Sequence, residues 1–249
     1  MRPWPKPISR VAGLRRTTFE LGGNAAVVID ESATINDALI NRLAVAGFAY
    51  SGQVCISAQR LYIHKNVYEE VKERLIARTR ELKMGDPMHE ETEVGPVISD
   101  KAAERMIDWI NQAKEQGASV LIGGTRDGRM VMPTLLENVH DSMLVMKEEA
   151  FAPLMCLVPF ENFEEALQAV NNSTYGLQAG VYTNELSKTM RAIEVLDVGG
   201  VIINDAPVFR VDHMPYGGVK QSGFGREGPR FAVEEMTTIK MVVLNEPPV

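Results

Sequence analysis

One cysteine, Cys55, closes the run Gly47-Phe48-Ala49-Tyr50-Ser51-Gly52-Gln53-Val54-Cys55-Ile56-Ser57. Gly52 lets the backbone turn where other residues resist it, so a helix ending here can present Cys55 rather than pack it. A presented thiol near backbone N–H donors is a candidate nucleophile. The other fate of a free cysteine is to be a small buried hydrophobe. Upstream, Phe19-Glu20-Leu21-Gly22-Gly23-Asn24 sets a carboxylate between two apolar residues, just before two glycines. Apolar walls raise the pKa of a carboxylate and suit it to general-base work. The plainer alternative for Glu20 is a surface residue before a turn. Gly22 and Gly23 allow a backbone to approach a ligand closely.

Both residues need elements to position them. Ala25 to Ile29 is a short apolar run closed by Asp30, the pattern of a buried strand. Thr34 is placed to cap a helix carrying Ile35, Ala38, Leu39 and Ala46 on one face and leading towards Cys55. A strand is expected over 60–64. Asn66 and Glu69 then resemble a capping box for a helix with Val67, Val71, Leu75 and Leu82 on one face, stopped by Gly85-Asp86-Pro87. Another helix runs from about Lys101, with Met106, Ile107, Ile110 and Ala113 as its stripe and Gly117 as its stop. Strands are expected at 120–122, 154–158, 178–182 and 201–203, with Cys156 in the core of the second. Asn162 with Glu165 opens one further helix, and Asn184 caps another that ends near Leu196. The stretch 204–228 is rich in Gly and Pro and long for a loop, which favours function. Thr237 to Leu244 is β-rich and reads as a terminal strand. Strands alternating with helices imply an α/β layered domain, an open sheet with flanking helices.

Composition narrows the function. The chain has 249 residues, 45% hydrophobic and 24% charged, as expected of a globular protein with a substantial core. A net charge of −7 argues against a nucleic-acid or membrane-surface partner. Two cysteines, Cys55 and Cys156, are too few for a disulfide framework and suggest a reducing, cytoplasmic setting. No apolar run approaches the ~20 residues of a membrane span. Pro3, Pro5 and Pro7 at the start are expected to preclude a regular helix or central strand. His64, His89, His140 and His213 lack metal-ligand spacing, so no metal site is expected. Asp212-His213 suggests a hydrolase dyad only weakly, because adjacent residues rarely serve so.

Five motifs in order resemble those of the aldehyde dehydrogenase superfamily. They are Glu20-Leu21-Gly22-Gly23; Gly52-Gln53-Val54-Cys55; Lys147-Glu148-Glu149-Ala150-Phe151-Ala152-Pro153; Tyr175-Gly176-Leu177 with Val181-Tyr182-Thr183; and Met214-Pro215-Tyr216-Gly217-Gly218-Val219-Lys220 with Ser222-Gly223-Phe224-Gly225-Arg226-Glu227. The resemblance runs from about Val11 to the C-terminus. It implies a catalytic thiol at Cys55 and a base at Glu20. It also implies NAD or NADP gripped by Glu149, Phe151 and Gly22, and a small-molecule aldehyde as substrate. Glu149 could otherwise be a solvated carboxylate beside Lys147 and Glu148. Ala152 stands where the family has Gly, and is expected to crowd the backbone. Phe209 and Arg210 lie in the loop that lines the family's aldehyde entrance, so Phe209 is expected as an apolar wall and Arg210 as a contact to an anionic substrate group. A surface pair of Arg210 with Asp212 is the alternative.

The resemblance is to the C-terminal, catalytic half of the family's fold. Residues 1–23 then read as a remnant of the cofactor-binding domain and 24–204 as the catalytic domain. Residues 205–249 read as a C-terminal loop, helix and oligomerisation strand. Residues 223–228 spell G-x-G-x-x-G, but Gly217, Gly218, Gly223 and Gly225 lack the strand–turn–helix context of a phosphate cradle, and no G-x-x-x-x-G-K-[ST] occurs. The expectation is a truncated chain that alone turns over no aldehyde, forms a homo-oligomer and could be completed by a separate chain supplying the cofactor domain. The competing readings are a non-catalytic structural or regulatory fragment pairing with full-length homologues and, more distantly, a cysteine esterase or hydrolase.

Overall fold

The computed structural model describes residues 5–246. The chain opens with helix α1 (Pro5–Ala12), strand β1 (Phe19–Glu20), strand β2 (Ala25–Ile29), helix α2 (Asp37–Phe48) and strand β3 (Ala58–His64). Helices α3 (Lys65–Glu81) and α4 (Asp100–Glu115) follow, then β4 (Ser119–Ile122), β5 (Arg126–Asp127), β6 (Met130–Val131) and β7 (Thr134–Glu137). After α5 (Leu144–Lys147) come β8 (Leu154–Phe160), α6 (Phe163–Asn171), β9 (Tyr175–Gly176), β10 (Gln178–Tyr182), α7 (Leu186–Val195) and β11 (Gly200–Ile203). The last elements are β12 (Val219–Lys220), β13 (Gly223–Phe224) and α8 (Pro229–Met236).

Seven strands form one sheet in the order β11-β10-β2-β3-β8-β7-β4. All its neighbours run parallel except the edge pair β4 and β7. Side chains alternate across a strand, so β2 sends Ala26 and Val28 to one core and Val27 and Ile29 to the other. The first core is completed by Met106 and Ile110 of α4, Leu167 of α6 and Ala192 of α7. The second is completed by Leu43 of α2 and by Val71 and Leu75 of α3. Helices thus cover both faces, which is why β2 and β8 read as unbroken apolar runs. The fold is the α/β layered sheet expected from the sequence.

This topology fixes where a site can form. Because β2, β3, β8 and β10 are parallel neighbours, the segments that enter them converge on one edge of the sheet. Glu20 precedes β2, Cys55 precedes β3, Glu149 and Phe151 precede β8, and Leu177 precedes β10. Chemistry-bearing residues scattered over the sequence are thereby gathered at the amino ends of four adjacent strands.

Several local expectations are corrected. Helix α2 is capped by Asn36 rather than Thr34, with its carboxamide oxygen accepting from Leu39 N–H at 2.9 Å. Helix α3 starts directly on the last residue of β3, so the His64 ring caps it and Asn66 already lies in the first turn. That helix ends at Glu81, before Gly85. Asn184 is drawn away from capping α7 by donating to the Ser32 carbonyl at 2.6 Å. Pro5 and Pro7 do not prevent a helix. They sit in the first turn of α1, where a missing N–H removes no helical bond. Pro3 lies outside the described residues. Thr237 to Leu244 forms no strand. It is exposed and pairs with no strand of its own chain, with Ile239 98% and Leu244 90% exposed. Among the described residues no helix is long and apolar enough to cross a membrane.

Candidate active site

Cys55 is delivered by a strained turn. After α2, Tyr50, Ser51 and Gly52 take left-handed conformations in succession, with φ of 52°, 57° and 66°. Two are not glycines, and such residues cost free energy unless their surroundings hold them. Ser51 is held by donating from Oγ to the Gly95 carbonyl at 2.7 Å. Gly52 has no alternative, because a Cβ there would overlap the Ala152 carbonyl. The chain then closes a second turn, Ser57 N–H to the Val54 carbonyl at 3.0 Å, while Ser57 Oγ donates back to the Ala46 carbonyl. Cys55 is half-buried in that turn, in an apolar nest with Val54, Ile56, Leu177, Val208 and Tyr216. Cys156, by contrast, is wholly buried in β8, where burial pushes its thiol up to about 12.

The glycines of the first motif have steric reasons. A Cβ on Gly23 would overlap the carbonyl of Cys55, so the two segments pass in backbone contact. A Cβ on Gly22 would stand 2.7 Å from Glu149 Oε2. Gly23 N–H donates to Glu149 Oε1 at 3.1 Å. Glu149 is therefore not a solvated carboxylate. It is 7% exposed and is fastened above the glycines. Its loop is fixed from behind by Gln59, whose amide donates to the Val145 and Glu148 carbonyls and accepts from Ala150 N–H, all within 2.9 Å. Phe151 beside it carries a φ of 48°. Ala152 takes no left-handed conformation and is buried, so the family's glycine is replaced here without backbone strain.

The last motif ties these parts together. Ser222, fully buried, donates from Oγ to the Gly22 carbonyl at 2.7 Å and accepts from Gly176 N–H at 3.0 Å. Its own carbonyl accepts from Leu21 N–H. β13 pairs antiparallel with β1, setting Glu20 opposite Gly223 and the Phe19 ring edge-on to Phe224.

Glu20 is the most perturbed carboxylate of this region. Both of its oxygens are buried without a hydrogen-bond partner. Burial, and then the charge of Glu227, raise its pKa to about 7, against the lesser pull of Arg210 and Arg226. Burial also holds the Cys55 thiol above its usual range. A hydrogen bond with the Tyr216 hydroxyl, at 2.9 Å from Sγ, opposes that shift, and the charges of Glu149 and Glu20 add to it.

Arg210 does not pair with Asp212 in a hydrogen bond. It bonds Glu227 at 2.6 Å, and its guanidinium lies 4.0 Å from the centroid of the Tyr216 ring. Phe209 beside it is 41% exposed, at the rim of this region. Sequence reasoning did not single out Tyr216, Glu227, Gln59 or Ser222. Tyr216, Ser222 and Glu227 lay inside a quoted motif, so their positions were marked but not their roles.

A mixed α/β sheet with a presented thiol and a buried carboxylate at its amino edge defines a candidate site for covalent catalysis on a carbonyl carbon. The chain belongs to the aldehyde dehydrogenase family, whose sequence profile matches residues 6–242. It is 46% identical to a 3-sulfolactaldehyde dehydrogenase of Priestia aryabhattai, over 94% of this chain and 49% of that protein. It is 44% identical to a sulfoacetaldehyde dehydrogenase of Neptuniibacter caesariensis, over 95% of this chain and 52% of that one. Among solved structures it superimposes with a TM-score of 0.92 and 43% identity on aldehyde dehydrogenase 21 of Physcomitrella patens in complex with its reaction product succinate, covering 94% of this chain and 49% of that one. It likewise matches a glyceraldehyde-3-phosphate dehydrogenase of Methanocaldococcus jannaschii complexed with NADP, with a TM-score of 0.93 and 36% identity, covering 97% and 52%. The chain spans about half the length of the curated relatives it matches.

Proposed function

We propose that this chain is the C-terminal, catalytic half of an NAD- or NADP-dependent aldehyde dehydrogenase that oxidises a short anionic aldehyde to its acid. In this reading residues 1–23 belong to the cofactor domain, 24–204 to the catalytic domain and 205–249 to the oligomerisation segment. The observation that carries it is the interlock of Gly22 and Gly23 with Glu149 and Cys55, which brings thiol, base and candidate cofactor carboxylate to one place.

The residues fit the nicotinamide end of the cofactor. Glu149 is a carboxylate acceptor locked in position over Gly22, where only a residue without a Cβ leaves room for it, and Phe151 supplies an aromatic face beside it. NAD(P), when bound, supplies the hydride acceptor that makes the reaction an oxidation. The chain's own residues supply the rest. Cys55 as thiolate forms a bond to the aldehyde carbon, and the carbonyl pair moves onto oxygen. The Cys55 N–H is the backbone donor offered to that developing oxyanion. Glu20, with a pKa of about 7, takes a proton from the water that attacks the acyl carbon held on Cys55. Cleavage of the carbon–sulfur bond then releases the carboxylic acid and frees the thiolate. Phe209 serves as an apolar wall at the entrance, and Arg210, whose fork reaches two oxygens, recognises the substrate anion. An anionic substrate agrees with the sulfonated aldehydes named for the two relatives and with the succinate bound to the plant enzyme.

The exposed apolar residues Ile239, Met241, Val242, Val243 and Leu244 support a homo-oligomer, because a β-rich edge of this kind seeks a partner. The test of function is complementation. This chain is mixed with the separately expressed N-terminal half of the Priestia relative, and NAD(P)H formation is followed with sulfolactaldehyde and with a neutral aldehyde of similar length. Turnover that prefers the anion and vanishes in Cys55→Ser is expected. Turnover that survives Cys55→Ser would overturn the reading.

A further inference from the structure

The proposed mechanism leaves Tyr216 unused, although its hydroxyl lies 2.9 Å from the sulfur of Cys55. Tyr216 is 4% exposed. The backbone of Tyr216 exchanges hydrogen bonds with Glu227 in both directions, N–H to carbonyl at 3.2 Å and 2.6 Å. The side chain of the same Glu227 holds Arg210 at 2.6 Å, and Arg210 stacks on the Tyr216 ring with its guanidinium carbon 4.0 Å from the centroid. One residue, Glu227, therefore fixes the tyrosine twice, with its backbone on the Tyr216 main chain and with its carboxylate through the cation on the ring face. Such pinning is more than apolar packing requires.

The charges around the sulfur give the hydroxyl a task. Cys55 feels Glu149 and Glu20, both of which oppose a thiolate. Tyr216 faces Cys55, Glu20 and Arg210, and Arg210 in turn faces Glu227 and Asp212. Among the described residues Tyr216 is the side chain hydrogen-bonded to Sγ. A thiolate can only accept, and a phenol is a stronger donor than a thiol. We infer that Tyr216 donates its O–H to the sulfur of Cys55, sets the fraction of thiolate at a given pH, and aims the nucleophile, with Arg210 and Glu227 as the clamp on its ring. The inference rests on Cys55 being the nucleophile and adds a donor to its sulfur.

The test is the pH profile of Cys55 alkylation by iodoacetamide in the folded chain, read by peptide mass so that Cys55 and Cys156 are counted separately. It needs neither cofactor nor turnover. Tyr216→Phe removes one oxygen and leaves the ring under Arg210. The midpoint is expected to rise by about one pH unit or more, so that alkylation below the midpoint slows roughly tenfold. If that variant does not fold, 3,5-difluorotyrosine at position 216, a more acidic donor of nearly the same shape, is expected to lower the midpoint instead. A midpoint that Tyr216→Phe leaves in place or lowers, or that the fluorinated residue leaves in place or raises, overturns the inference while Cys55 remains the nucleophile. A Cys55 that stays unlabelled at every pH overturns both readings.

Discussion

Glu20 and Gly223 are cross-strand partners in a two-residue antiparallel ladder that joins the start of the fold to its last loop. Gly223 has a φ of 122°, and a Cβ there would overlap the Phe19 carbonyl. The candidate base is thus positioned by a residue that touches no reacting atom. Gly223→Ala is expected to cost more than about 1 kcal/mol, from the left-handed backbone and the overlap together. It should also impair Glu20 while leaving Cys55 reactive. Urea unfolding and the hydrolysis rate of an acyl group on Cys55 check the two halves of this expectation separately.

The titration of Glu20 gives a signed prediction. Its folded pKa of about 7 lies above its usual value of 4.5, so the folded state binds this proton more tightly than the unfolded state does. The stability linked to the group is fully present below about 4.5 and is lost as pH rises through 7. Glu20→Gln removes that loss. The variant should therefore melt higher than the parent at pH 8, by an amount on the order of 2 kcal/mol, and match it at pH 4. Hydrolysis of the Cys55 acyl group needs ionised Glu20, so its rate in the parent should rise with a midpoint near 7. Thermal melts at the two pH values and a stopped-flow pH profile measure both.

Arg210 should discriminate by charge. Acylation of Cys55 by the anionic mono-4-nitrophenyl succinate is compared with acylation by neutral 4-nitrophenyl butyrate. Arg210→Ala is expected to slow the anionic ester about tenfold or more, and the neutral one by much less. Equal slowing of both would remove Arg210 from substrate recognition, leaving only its contacts with Glu227 and Tyr216.

Much of the frame was legible in the sequence. Strand β10 and the apolar runs of β2 and β8 followed from burial on both faces, which leaves an unambiguous apolar pattern. Asn162 caps α6 as expected, but the caps of α2, α3 and α7 were not legible, because several polar residues precede each of these helices and only the path of the chain decides which is in reach. Asn36 displaces Thr34 for that reason, and His64 displaces Asn66. The terminal segment 237–244 has strand composition but no strand beside it in its own chain. Cys55, Glu20, Gly22 and Glu149 could be marked by motif. Their interlock could not, because it depends on Cβ positions that glycine lacks and on Ser222 and Gln59, whose hydrogen bonds cross long stretches of sequence.

The terminal segment carries its own prediction. Five large apolar side chains between Ile239 and Leu244 are each at least 66% exposed in the single chain. The protein is expected to be a dimer or larger in dilute solution, and deletion after Met236 is expected to lower its mass. Light scattering coupled to gel filtration reads both. A monomer unaffected by the deletion would count against the segment as an interface.

The central claim is that Cys55 is the nucleophile and Glu20 the base that clears it. It is tested most directly by treating the folded chain with 4-nitrophenyl acetate, quenching at intervals and mapping the acetyl group by peptide mass. The account predicts a single adduct on the Cys55 peptide. The adduct should be absent in Cys55→Ser, and in Glu20→Gln it should form but decay at least tenfold more slowly at pH 8. An adduct on Cys156, or one that persists in Cys55→Ser, would contradict the claim, as would decay at the parental rate in Glu20→Gln.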